Sequence, residues 1–141
     1  MERIRNKIFS VEEANRLVPF LEQALGRLAS LGRDIASLKR EIEVLSAIES
    51  AGATDSNTDV LALREKERLY AHRLERFREV LTGVARHGCV LRDLEMGLVD
   101  FYAVVRNRVI CLCWQRGEPR VEHWHPADEG FSGRRPLDDL A

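Results

Sequence analysis

Two runs of leucine-type residues, spaced alternately four and three apart and separated by a polar break, constrain this chain more than any other feature. The first run is Leu17, Leu21, Ala24, Leu28, Leu31, Ile35, Leu38, Ile42 and Leu45. The second is Leu63, Tyr70, Leu74, Phe77, Leu81 and Val84. Such spacing returns to one stripe of a helix every ~3.5 residues, and Arg, Lys, Asp and Glu fill the outer positions. Ser10-Val11-Glu12-Glu13 reads as a capping box, in which the Ser10 hydroxyl takes the Glu13 amide and the Glu13 carboxylate reaches back. A helix is therefore expected from Val11, and if it reaches residue 50 it is ~60 Å long. Pro19 lacks a backbone donor and is expected to kink or restart it. Gly26 and Gly32 each weaken it by ~1 kcal/mol relative to alanine.

Residues 50–59, Ser-Ala-Gly-Ala-Thr-Asp-Ser-Asn-Thr-Asp, are rich in turn and N-cap residues. Two seamed helices joined this way fold back on each other. The helical hairpin is expected over 10–50 and 58–87, coiled-coil-like, with Gly88 just past its end. A loop centred near Thr54 makes facing residue numbers sum to about 108. Leu45 is then expected near Leu63, Leu38 near Tyr70, and Leu31 near Phe77. A two-helix hairpin buries one stripe per helix and needs a further surface. Val18, Leu25, Leu69 and Val80 lie off the seam and are candidates for that contact. A homodimer is the expected assembly.

The pattern changes after Gly97. Leu98 to Val105 and Val109 to Trp114 are rich in β-formers, and Arg106-Asn107-Arg108 separates them. Gly117-Glu118-Pro119 makes a second turn before a short strand over Val121 to His125. A three-stranded antiparallel β-meander is expected over 97–125, with an irregular tail over 126–141. The expected fold class is thus α+β, in a single domain over 1–141. Strand side chains alternate, so the turns decide which residues share a face. A two-residue turn at Asn107 puts Ile110, Leu112 and Trp114 on the face of Val99, Phe101, Ala103 and Val105, which is expected to pack on the helices. If Trp124 joins that face, His123 and His125 lie opposite, beside Cys111, Cys113, Asp100 and Tyr102.

Composition excludes several classes. The 22 basic and 23 acidic residues leave a net charge of −1, so no global field attracts nucleic acid or an anionic membrane. The basic residues of Arg64–Arg68 and Arg73–Arg78 alternate with glutamates, as on a solvated helix face. Nucleic-acid binding is therefore not expected. No apolar run follows Met1-Glu2-Arg3-Ile4-Arg5, and no stretch approaches the ~20 apolar residues of a membrane span, so neither a secretory leader nor a span is expected. Three cysteines, an odd number without a leader, point to reduced thiols and a cytoplasmic setting. Cys111 and Cys113, two apart in a strand, have Cα atoms ~6.5 Å apart, a poor disulfide geometry.

Gly97-Leu98-Val99-Asp100-Phe101, Leu112-Cys113-Trp114-Gln115-Arg116-Gly117-Glu118, and Trp124-His125 followed by Gly130-Phe131-Ser132-Gly133-Arg134 form a set of motifs. With the opening Phe9-Ser10-Val11-Glu12-Glu13-Ala14-Asn15 they resemble an uncharacterised family of bacterial proteins, a conserved domain of unknown function. The resemblance covers nearly the whole chain. It implies a bacterial protein and supplies no activity. Asp100, Cys113, Glu118, His125 and Arg134 fall on its motifs, whereas Cys111 and His123 do not.

Two clusters carry candidate chemistry. Cys111, Cys113, His123 and His125 offer two thiolates and two imidazoles to zinc. The plainer reading, favoured on geometry, is two small apolar cysteines and two surface histidines, because a flat sheet face is a poor tetrahedral pocket. Asp100, Glu118, His125 and Arg134 are the candidate catalytic group, a carboxylate beside a histidine with an arginine to hold an anion. The plainer reading, again favoured, gives Asp100 and Glu118 structural hydrogen bonds and lets Arg134 tie the tail to the sheet. No nucleophile elbow, phosphate loop or dinucleotide fingerprint points to an enzyme. The sequence favours a non-enzymatic oligomeric interaction or scaffold module, with no cofactor, that uses the hairpin as its contact surface. The alternative is a small-ligand or metal-binding protein, or an enzyme, with its site on the polar face of the sheet. A concave pocket where those polar groups converge is what the alternative requires.

Overall fold

The computed structural model describes residues 5–52 and 57–140. Met1 to Ile4 and the expected loop centre at Thr54 lie outside the described residues. Two helices, α1 (Val11–Ser50) and α2 (Asn57–Arg86), precede all the strands. The chain forms two compact units: Leu28–Val80 is one, and the residues up to Arg27 together with those from Leu81 onward make the other.

Within Leu28–Val80 the two helices are paired. Lys66 Nζ lies 3.0 Å from Glu41 Oε2, and Arg73 Nε lies 3.9 Å from Asp34 Oδ2. The Phe77 ring comes to 4.0 Å of the place a Cβ on Gly32 would occupy. These contacts match the register read from the two seams. Solvent-exposed ion pairs contribute at most ~1 kcal/mol each, so the apolar stripe sets the alignment. Leu63 is buried on it, and Leu31, Leu38, Leu45, Tyr70 and Phe77 are half-buried.

In the other unit α1 begins where the capping box places it. Glu13 N–H donates to Ser10 Oγ (3.1 Å), and Ser10 N–H donates to Glu13 Oε1 (3.0 Å). The helix continues through Pro19 with no restart. The lost backbone bond is offset by burial on both sides of it, at Ala14, Val18, Leu21 and Leu25.

The sheet has five strands where three are expected. β1 (Val90–Asp93), β2 (Leu98–Val105), β3 (Arg108–Gln115), β4 (His123–Pro126) and β5 (Arg135–Pro136) form an antiparallel meander in sequence order. The two additional strands are the edges. β1 is four residues long with a register shift between Leu91 and Asp93, and β5 is two residues ending in Pro136. Neither is long enough to display a period-two pattern. The tail is accordingly not irregular throughout: 3-10 turns at Phe131–Gly133 and Leu137–Leu140 flank β5.

Arg106 and Asn107, with φ of 53° and 62°, close a two-residue β2–β3 hairpin, a turn whose twist matches that of the strands. Phe101 then pairs with Leu112, Ala103 with Ile110, and Val99 with Trp114. Leu112 pairs in turn with Trp124. All seven are buried, and with Leu21, Leu25 and Val121 they form the core of the unit. The Phe9 ring meets Phe101 edge-on at 5.1 Å. Asn15 Oδ1 accepts from Val121 N–H (2.7 Å), and Glu22 Oε1 from Gly117 N–H (2.7 Å), which tie the first turns of α1 to the sheet segment. No helix among the described residues is long and apolar enough to cross a membrane.

Candidate functional site

The opposite sheet face carries the polar residues. Asp100 pairs with Cys113, Tyr102 with Cys111, Cys111 with His125, and Cys113 with His123. The parity argument from the two turns thus places all six on one side. They do not form one site. Asp100, Cys113 and His125 each offer a donor atom, and these three atoms lie within 4.8 Å of one another. All three residues are buried. Among the described residues this is the one group of three or more Cys, His, Asp or Glu side chains so arranged.

Asp100 is the hub. Its Oδ2 accepts from Arg92 Nε at 2.9 Å and lies 3.1 Å from His125 Nε2. Arg92 also donates to the Tyr102 hydroxyl at 2.9 Å. The other ring nitrogen of His125, Nδ1, lies 2.8 Å from the carbonyl oxygen of Pro126. A carbonyl oxygen and a carboxylate oxygen both only accept, so each ring nitrogen of His125 faces an acceptor, Nδ1 the Pro126 carbonyl and Nε2 the Asp100 carboxylate. Burial pushes the Cys113 thiol up to about 11, the Asp100 carboxylate adds to the rise, and Arg134 opposes it. The Cys111 thiol is raised for the same first reason, with Asp100 again adding. Burial alone would lower the Arg92 guanidinium, but its bonds to Asp100 and Tyr102 outweigh that and hold it above its ordinary value.

A cavity of about 280 Å³ opens onto this cluster. Arg92, Asp100, Cys113 and His125 line it, and the turn from Ala127 to Phe131 encloses its other side. Asp128 and Glu129 of that turn are exposed.

Glu118 and Arg134 make a separate pair. Arg134 Nη2 donates to Glu118 Oε1 in a very short contact and to the Cys113 carbonyl at 3.4 Å. Glu118 Oε1 also accepts from Gln115 N–H at 2.6 Å, and its backbone carbonyl accepts from Trp114 Nε1. Through these bonds the pair closes the β3 turn and holds the tail, and the Arg134 guanidinium lies 5.3 Å over the Phe131 ring. His123 Nδ1 lies 3.5 Å from Glu118 Oε2 without hydrogen-bond geometry. Neither His123 nor Cys111 belongs to the three-residue cluster. Of the four candidate zinc ligands, then, Cys113 and His125 come together and are joined by Asp100. Of the four candidate catalytic residues, Asp100 and His125 meet, and Glu118 and Arg134 meet apart from them.

Arg92 and the 127–131 turn are the parts that sequence reasoning missed. Cys89-Val90-Leu91 after Gly88 is the one signal for the strand that carries Arg92, and three β-formers do not reveal a bulge.

The fold and cluster define an α+β protein whose antiparallel meander holds a buried carboxylate–thiol–imidazole group at the floor of a cavity. A family model described as "Uncharacterized conserved protein (DUF2203)" matches residues 7–137, and the chain belongs to that family. The matched span includes every residue of the cluster. No curated protein and no solved structure matches the chain.

Proposed function

We propose that this protein binds a small ligand or ion in the cavity on the polar face of its sheet. One observation carries the reading: three chemically different donor groups, all buried, converge within 4.8 Å where a cavity opens. Burying a carboxylate, a thiol and an imidazole together costs free energy that an apolar trio would avoid. Convergent polar groups in a concave, largely pre-formed cavity are the general signature of a binding site. Binding fits better than catalysis. Both His125 nitrogens are already engaged, and the cluster has no activated nucleophile, its thiol being held in the protonated form. Three free thiols support a reducing, cytoplasmic setting.

The test is an amide-resolved NMR titration of labelled protein with zinc, phosphate, acetate and glycine as probes. Shifts confined to Arg92, residues 98–102, 111–113 and 125–131 support the reading. A panel with no shift there, or shifts only on α1 and α2, refutes it.

A second reading, that the hairpin binds a second copy of the chain, is favoured by exposed Val44, Ile48, Leu61 and Leu69 on Leu28–Val80. Sedimentation at tens of micromolar separates the two: a monomer removes the second reading and leaves the first untouched.

A further inference from the structure

Resting on the reading of the cavity as a binding site, we infer that its occupant is a divalent transition-metal ion of the zinc class, held by Asp100, Cys113 and His125 with its fourth position open to the cavity. The donor set selects the metal. One sulfur, one imidazole nitrogen and one carboxylate oxygen suit zinc, cobalt or nickel, whereas calcium and magnesium require oxygen donors throughout. The number of donors selects the type of site. Structural zinc sites are closed by four protein ligands, and sites that take a further ligand keep three and leave one position free.

The second feature is the partner of the histidine. A metal-ligating histidine almost always gives its other N–H to a carbonyl or carboxylate, which fixes the tautomer and aims the free nitrogen. His125 Nδ1 is committed to the Pro126 carbonyl at 2.8 Å, so Nε2 is the nitrogen that faces Asp100 and the metal position. Arg92 holds the Asp100 carboxylate in the same way from outside the triad.

Tetrahedral bonds of roughly 2.0–2.3 Å place donor atoms roughly 3.3–3.8 Å apart. The observed spread of up to 4.8 Å exceeds that by about 1 Å, so the three side chains draw together on binding. On binding, the Cys113 Sγ–H bond breaks, its proton passes to water, and an Sγ–metal bond forms. The proton on His125 Nε2 that faces Asp100 passes to water, and the freed lone pair binds the ion. Asp128 and Glu129 on the enclosing turn bring negative charge to the cavity lining, where Arg92 is committed to Asp100 and Glu129 is shared with Arg135.

Cobalt(II) added to untagged, chelator-stripped protein tests this without relying on any variant. One ion per chain, with visible d–d bands of tetrahedral intensity and a near-ultraviolet thiolate-to-cobalt band, is the expected result. Zinc added afterwards abolishes both. Cys113→Ser removes the thiolate band and weakens binding by more than the ~100-fold that loss of an outer partner costs. Cys111→Ser and His123→Ala leave the spectrum unchanged. No cobalt spectrum, an octahedral spectrum without the thiolate band, or a spectrum lost in Cys111→Ser but kept in Cys113→Ser overturns the inference. If cobalt gives nothing while phosphate or acetate still shifts the amides around the cavity, the metal inference falls and the binding-site reading stands. Silence from every probe removes both.

Discussion

Replacing Asp100 by asparagine keeps the shape of the side chain and removes its charge, so it isolates what the carboxylate does. Asp100 is 3% exposed and holds two donors on one oxygen. The donors respond differently. The Arg92 side chain is 44% exposed and re-solvates when released, at the cost of an exposed pair, about 0.5–1 kcal/mol. The His125 side chain is only 3% exposed, so its weakened contact costs about 1–2 kcal/mol. The sum is about 2 kcal/mol. A chain of 141 residues unfolds with an entropy of roughly 0.3 kcal/mol/K, so the melting midpoint falls by about 7 °C. Both tryptophans, Trp114 and Trp124, lie in the sheet. Tryptophan fluorescence during a thermal melt therefore reports on this unit and not on Leu28–Val80. A double-mutant cycle with Arg92→Gln assigns about 0.5–1 kcal/mol to the pair. A midpoint unchanged within 1 °C, or raised, refutes the account of Asp100 as the compensated hub of the cluster.

Three further outcomes follow from other parts of the fold. Gly97 has φ of +71°, and a Cβ there would lie 2.6 Å from Arg116 Cβ, so Gly97→Ala costs about 2–4 kcal/mol in the same melt, and a loss under 0.5 kcal/mol contradicts the turn described. Lys7, followed by the capping bonds of Ser10, lowers the Glu13 carboxyl from 4.5 to about 2. A depressed carboxylate stabilises above its unfolded value and loses that contribution as pH falls toward its folded value. The stability gap between wild type and Glu13→Gln should therefore be constant above pH 5 and shrink between about 4.5 and 2, and a gap flat to pH 2 rules this out. With Cys89 and Cys113 both raised to about 11 by burial, iodoacetamide should label the native protein at neutral pH far more slowly than a denatured control, and equal rates by mass spectrometry contradict the burial.

The helical part was readable because the seam is long. The expected facing pairs have residue numbers summing to about 108, and the Glu41–Lys66 and Asp34–Arg73 pairs that the structure contains both sum to 107. The sharing of faces was readable because strand parity needs only the length of each turn, and Arg106-Asn107 gives the first of these directly. Parity stops at the face. It puts Cys111, Cys113, His123 and His125 together but does not say which atoms meet. The cluster turns on His125, whose neighbour on β3 is Cys111, reaching diagonally across β3 to Asp100, and on Arg92 arriving from a bulged edge strand of four residues. Strand pairs that short leave no periodicity to read. The role of Glu118 was hidden for another reason: a carboxylate that closes a turn and one that binds a ligand look alike until its partners are known.

The most direct measurement is anomalous diffraction at the zinc absorption edge from a crystal grown with zinc. The account predicts one strong peak bonded to Asp100, Cys113 and His125, with its remaining position facing the cavity. Density bonded instead to Cys111 and His123, or peaks only at exposed side chains such as His72, would contradict it.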